Sequence, residues 1–89
     1  MSAKIIMYST RFCPYCMRAR RLFAQKNVAF EDIDVSKDAN LWHTMQKLSG
    51  RDTVPQIFIN DEAVGGFDDI ALLDRQGKLD SMLAVNLDK

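Results

Sequence analysis

Cys13-Pro14-Tyr15-Cys16 is the segment of this chain in which residue types and spacing together prescribe a reaction. Two cysteines separated by two residues, where an apolar run ends and an amphipathic segment begins, read as a redox-active pair. With Cys13 at a helix N-cap, Pro14 takes the first helical position, where its missing N–H costs nothing. The N–H groups of Tyr15 and Cys16 are then expected to point back at the Cys13 sulfur. An ordinary thiol of pKa ~8.5 is only about 3% ionised at pH 7. A helix dipole of up to ~2 kcal/mol and charge-assisted N–H bonds of ~1.5–3 kcal/mol each favour the thiolate at Cys13, with Arg11 adding a screened contribution. Cys16 lies three residues on, on the same face, and receives less of that field. Cys13 is therefore read as the attacking sulfur and Cys16 as the resolving one.

Blander uses of the pair are weaker. Half of a zinc site would need His43 or carboxylates to complete it, and no further Cys or His stands at matching spacing. A purely structural pair is the other alternative. His43 reads as a solvated helix residue, because exchange from an activated cysteine needs no separate base, and Trp42 reads as helix-face packing.

The elements that must position the pair follow from periodicity. Lys4-Ile5-Ile6-Met7-Tyr8 is a β-branched apolar run and reads as a buried strand. From Pro14 to Lys26, Cys16, Ala19, Leu22 and Phe23 recur at helical spacing, and Asn27 stops the helix. Residues 28–35 alternate in part, with Phe30, Ile33 and Val35 apolar, and read as a second strand. Ser36 is the expected N-cap of a helix over 37–48, with Leu41, Met45 and Leu48 on one face and Gly50 ending it. Residues 56–60 form a strong strand, Asn60-Asp61 is turn chemistry, and 63–65 are the hairpin partner. Two helical segments follow: Leu72 and Leu73 lie in the first, Gly77 breaks the run, and Leu79, Met82, Leu83 and Leu87 mark the second. The order β-α-β-α-β-β-α-α calls for an α/β fold, one domain over 1–89 with a mixed four-stranded sheet and helices on both faces.

Composition excludes several classes. Twelve basic and twelve acidic residues cancel, so no global basic field recruits nucleic acid. The cancellation hides an asymmetry: residues 1–30 carry six bases and no acid, a side that a small anionic ligand would sense. No apolar run approaches the ~20 residues of a membrane span, and residues 1–8 contain no export signature. Two cysteines are too few for the disulfide scaffold of a secreted mini-domain. The expectation is a monomer of the reducing cytoplasm, without nucleic-acid or membrane partners.

Three segments in register make the chain resemble the glutaredoxins, in particular the small dithiol type of bacteria, over essentially its whole length. They are Cys13-Pro14-Tyr15-Cys16, Thr53-Val54-Pro55-Gln56-Ile57-Phe58-Ile59 and Gly65-Gly66-Phe67-Asp68-Asp69. The resemblance implies a thioredoxin fold whose Val54-Pro55 peptide is cis and faces Cys13. It implies that the Val54 backbone pairs with the cysteinyl backbone of glutathione as a short added strand, flanked by Thr53. Asp68 and Asp69, after Gly65 and Gly66, would hold the γ-glutamyl end, and Tyr15 would flank the ligand. The local chemistry agrees: glycines permit close approach, helix-terminal N–H groups take a carboxylate, and an aspartate receives an ammonium. Both aspartates also have a simpler use as helix caps, Asp68 the more so. The family's lysine three residues before the first cysteine, which meets the glycyl carboxylate, is Thr10 here. Arg11 beside it is the candidate replacement, and equally a side chain free to point to solvent. Phe67 makes the rim apolar or simply packs.

The activity so implied is a glutathione-dependent thiol–disulfide oxidoreductase with glutathione as co-substrate, no tightly bound cofactor and no metal. Its implied partners are disulfide-containing or glutathionylated proteins, ribonucleotide reductase and similar reductases among them. A different class, a carrier of a [2Fe–2S] cluster ligated by Cys13 and glutathione from two subunits, is disfavoured by Pro14 and Cys16. A redoxin served by thioredoxin reductase is disfavoured by the segment at 65–69.

Overall fold

The protein is described by a computed structural model covering residues 3–84. Side-chain alternation in two neighbouring strands sets the layers. In β1 (Ile5–Ser9), Ile5 and Met7 enter one core while Ile6 and Tyr8 join another. In β3 (Gln56–Ile59), Ile57 and Ile59 enter the first and Phe58 the second. The first core is closed by Ala19 and Phe23 of α1 (Pro14–Gln25), Ile70 of α3 (Phe67–Arg75), and Leu79 and Leu83 of α4 (Leu79–Ala84). The second is closed by Leu41, Trp42 and Met45 of α2 (Ala39–Ser49), with Tyr8 edge-on to Phe58 at 5.7 Å.

The sheet order is β2-β1-β3-β4, with β2 (Glu31–Asp34) parallel to β1 and β4 (Glu62–Gly65) antiparallel to β3. Asn60 and Asp61, at φ 51° and 68°, make the tight hairpin turn. Because β1 and β3 run antiparallel with Tyr8 opposite Gln56, the loop leaving β1 meets the loop entering β3 at one edge. Order, sheet and two-sided helix cover match the expectation from periodicity.

Three details differ. The second strand starts at Glu31: Asn27, at φ 58°, turns the chain, and Val28 and Phe30 pack against the first core, the Phe30 ring 5.3 Å from that of Phe23. Ser36 is not the N-cap of α2. Asp34 accepts from the Ser36 N–H and hydroxyl and opens a short 3-10 turn, Val35–Lys37, that buries Val35. Asp38 then caps α2 by accepting from the Asn40 N–H at 2.8 Å. The Ser36 donors hold the Asp34 carboxyl below the usual carboxylate range. Leu48 is exposed, so the buried face of α2 rests on Leu41, Trp42 and Met45. Leu87 lies outside the described residues.

The charge asymmetry is used across the fold. Lys4 pairs with Asp61, Arg20 with Asp32, and Lys26 with both Asp74 and Asp80, fastening the end of α1 to the last two helices. No helix among the described residues is long and apolar enough to cross a membrane.

Candidate active site

Cys13 ends the loop after β1 with extended backbone, φ −86° and ψ 121°, and Pro14 opens α1. Its side chain makes no capping bond with the N–H groups of its own helix, contrary to the expectation above. The sulfur instead turns toward the loop entering β3, where the Val54 carbonyl lies 3.8 Å away. The Val54-Pro55 peptide is cis, as the resemblance implies. Gln56, buried beneath this loop, holds it by donating from Nε2 to the Thr53 carbonyl at 3.0 Å and the Thr53 hydroxyl at 3.1 Å.

The two sulfurs are unequal. Both are free thiols, but Cys13 is half-buried and Cys16 is 0% exposed. Burial pushes the Cys16 thiol up to about 11, against the pull of the Thr10 N–H and the Arg20 charge, while Cys13 pushes it further up. In the unfolded chain such a thiol ionises near ~8.5. The reduced protein is therefore expected to lose stability as pH rises from ~8.5 through about 11, because only the unfolded state releases this proton early. The share of Cys16 is on the order of 3 kcal/mol. Urea unfolding of reduced parent and reduced Cys16→Ser across that range checks it: the variant should fall less steeply.

Beside Cys13 opens a concavity of about 300 Å³. Tyr15, Thr53, Val54, Pro55, Gly66, Asp68 and Asp69, all named from the sequence, line it with Arg51, Gln56 and Phe67. Arg11 does not. It lies with Thr10, Phe12, Cys13, Asp34, Ser36 and Lys37 around a second concavity of about 450 Å³, its guanidinium 5.7 Å from the centre of the Phe12 ring. Phe12 is 85% exposed, an aromatic presented to solvent next to the outer sulfur. The residues named from sequence therefore divide between two hollows, with Cys13 lining one and reaching the Val54 wall of the other.

Helix capping at the far end belongs to Asp69, not Asp68. Asp69 is the third residue of α3, and from there its carboxylate reaches back to the Gly66 N–H at 2.9 Å. The same oxygen accepts from Arg51 at 2.9 Å, and the two donors hold Asp69 below the usual carboxylate range. Asp68 is exposed on the wall of the concavity. Arg51 is a site residue that the motifs did not single out; in sequence it is one more charge after a helix-ending glycine, and only the fold brings it to Asp69. His43 is exposed on α2 and Trp42 packs in the second core, as expected. Among the described residues no group of three or more His, Cys, Asp or Glu is placed to hold a metal.

A pair of cysteines at the start of a helix, set against a cis-proline loop at the edge of a β-α-β-α-β-β sheet, defines a thiol–disulfide oxidoreductase of the thioredoxin fold. Comparison narrows the class. The glutaredoxin family model matches residues 5–64. Glutaredoxin 3 of Escherichia coli is 43% identical over 81 residues, covering 91% of this chain and 98% of that one, and the glutaredoxin of Pseudomonas aeruginosa is 41% identical over 80 residues, covering 90% and 95%. Among solved structures, the Brucella melitensis glutaredoxin superposes with a TM-score of 0.81 at 48% identity, covering 92% of this chain and 89% of that one. A buckwheat glutaredoxin solved as its glutathione complex superposes with a TM-score of 0.84 at 28% identity, covering 91% and 76%. The chain belongs to the glutaredoxin family.

Proposed function

We propose that the protein is a glutathione-dependent oxidoreductase that reduces protein–glutathione mixed disulfides and protein disulfides. The observation that carries this reading is the concavity beside Cys13, which combines the Val54 backbone with Arg51, Asp68 and Asp69. A tripeptide with a central thiol, two carboxylates and one ammonium has a complement there for its backbone, its ammonium and one of its carboxylates. Its cysteinyl backbone pairs with Val54 beside Thr53, a carboxylate meets the Gly66 end of α3, the ammonium meets Asp68 and Asp69, and Tyr15 covers one side. Arg11, in the neighbouring hollow, is assigned to the other carboxylate in place of the lysine absent at Thr10. The glutathione bound by the buckwheat relative supports the ligand. The reading extends to a monomeric, single-domain protein of the cytoplasm that acts on glutathionylated and disulfide-containing proteins.

In the reaction, the Cys13 thiolate attacks the glutathione-side sulfur of a mixed disulfide, forming a Cys13–glutathione bond and releasing the protein thiolate. A second glutathione thiolate attacks that bond, leaves as glutathione disulfide and returns Cys13 as a thiolate. With protein disulfides, Cys13 bonds to the substrate and Cys16 displaces it. A coupled assay with a glutathione mixed disulfide, glutathione, glutathione reductase and NADPH tests the reading: NADPH consumption should scale with the protein added, and a rate indifferent to the protein overturns it.

Asp69 offers a finer check, since its carboxylate both caps α3 and lines the concavity. Asp69→Ala is expected to lower stability by about 1 kcal/mol through loss of the cap. It should also raise the KM for glutathionylated substrate about two- to five-fold. Asp69→Asn keeps an acceptor for Gly66 and should recover most of the stability but not the KM. Thermal melts and steady-state kinetics of the two variants separate these contributions.

A further inference from the structure

Behind the dithiol lies a polar cluster that none of the roles above uses. Ser9, 1% exposed at the end of β1, donates its hydroxyl hydrogen to Asp32 of β2 and accepts from Arg20 Nη2 at 3.0 Å. Arg20 also donates from Nε to Asp32 at 2.6 Å and from Nη2 to the Thr10 carbonyl at 3.2 Å. The Thr10 N–H favours the Cys16 thiolate. One guanidinium thus ties together both strands and the start of the loop that leads into the dithiol. Fastening α1 to the sheet needs no charge, as Ala19 and Phe23 show. Arg20 nevertheless places one there, partly shielded from water and one helical turn from Cys16 on the same face.

We propose that Arg20 is a positioning residue for the resolving step: it clamps the Ser9–Thr10 strand end against Cys16 and keeps a positive charge beside that sulfur as it ionises. The proposal rests on the reading that Cys16 resolves mixed disulfides on Cys13. In that step Cys16 loses its proton to water and its thiolate attacks Cys13 Sγ. The Cys13–Cys16 bond forms, the Cys13–substrate bond breaks, and the substrate leaves as a thiolate that takes up a proton. Two electrons pass from the dithiol to the substrate.

The charged and titratable groups acting on Cys16 are Cys13, which opposes its ionisation, and Arg20, which favours it, with Asp32 holding Arg20 in place. Without Arg20 the Cys16 thiol rises further. A rise of one pKa unit cuts the thiolate fraction ten-fold, of which a Brønsted exponent near 0.5 returns about three-fold as higher nucleophilicity. The net cost is about three-fold per unit, and loss of the clamp adds to it.

The test uses 5,5′-dithiobis(2-nitrobenzoate) with the reduced protein under single-turnover conditions. Attack by Cys13 releases one coloured thiolate, and attack by Cys16 on the resulting mixed disulfide releases a second. Arg20→Gln is expected to slow the second release roughly three- to ten-fold and to move its pH–rate profile to higher pH, and Arg20→Lys to restore most of both. Arg20→Met, of similar shape, serves if Arg20→Gln does not fold. A second release unchanged in rate overturns the proposal and leaves the dithiol reading intact. Slowing with an unmoved pH profile and no rescue by Arg20→Lys marks a merely structural role and also overturns it. Absence of a second release from the parent protein overturns the dithiol reading itself.

Discussion

Cys13→Ser is expected to reduce turnover of every substrate to the uncatalysed background, whereas Cys16→Ser should keep turnover of glutathione mixed disulfides within a few-fold of the parent and lose that of protein disulfides. Burial makes the difference. Cys13 is the sulfur within reach of an incoming disulfide, at the mouth of one hollow and against the Val54 wall of another. Cys16 is sealed beneath it with its thiol pushed up to about 11, so at neutral pH it stays protonated. Exchange with a glutathione mixed disulfide can finish on Cys13 alone because a second glutathione supplies the resolving thiol. Steady-state assays with one substrate of each kind decide it, and equal loss of glutathione mixed-disulfide turnover in both variants would reverse the assignment.

The largest effect on stability is expected at Gly65. Its backbone sits at φ 105°, which L side chains rarely adopt, and an added Cβ would collide with the carboxylate of Asp69. Gly65→Ala therefore combines backbone strain of ~1–3 kcal/mol with loss of the Asp69 cap, worth about 1 kcal/mol. Together these give about 2–4 kcal/mol, or a fall in Tm of roughly 10–30 °C for a domain of this size. Gly66→Ala is the control: its φ of −95° suits any residue and its Cβ would lie 3.2 Å from the Pro55 carbonyl, so only a small shift is required. Thermal melts of the two variants should differ by most of that range; equal midpoints would show that Asp69 moves aside at no cost.

How far this molecule was legible in its sequence depended on whether the information was local. The periodicities of 5–8, 14–26 and 56–59 report burial directly, so the element order followed from pattern, while Cys13 to Cys16, Thr53 to Pro55 and Gly66 to Asp69 are contiguous segments that carry the family resemblance, and most of the lining followed from that resemblance. What escaped notice was set by contacts distant in the chain. Arg51 meets a carboxylate 18 residues away and Arg20 one 12 residues away, and alone each reads as a solvated charge. Capping failed for another reason. Asp34, Ser36 and Asp38 are all competent caps within five positions, and the choice was made by Val35, which must turn inward to reach the second core. The direction of the Cys13 sulfur was likewise decided by the Val54 loop rather than by its own helix.

The place of β1 in the sheet carries a consequence for synthesis. It precedes the other three strands of the sheet in the chain, yet it lies inside the sheet, hydrogen-bonded to β2 on one side and β3 on the other. As the chain leaves the ribosome, α1 and its two thiols follow β1 at once, but β3 is roughly 50 residues behind, about 3–10 s at ordinary rates of translation. Until β3 docks, β1 has one bare edge, and the wall that faces Cys13 does not exist. Lys4, too, awaits its partner Asp61 across the hairpin turn. A nascent glutaredoxin of this architecture thus carries exposed thiols before it has the fold that disciplines them. The wall that faces Cys13 forms only when β3 pairs with β1 and brings the Val54 loop into place.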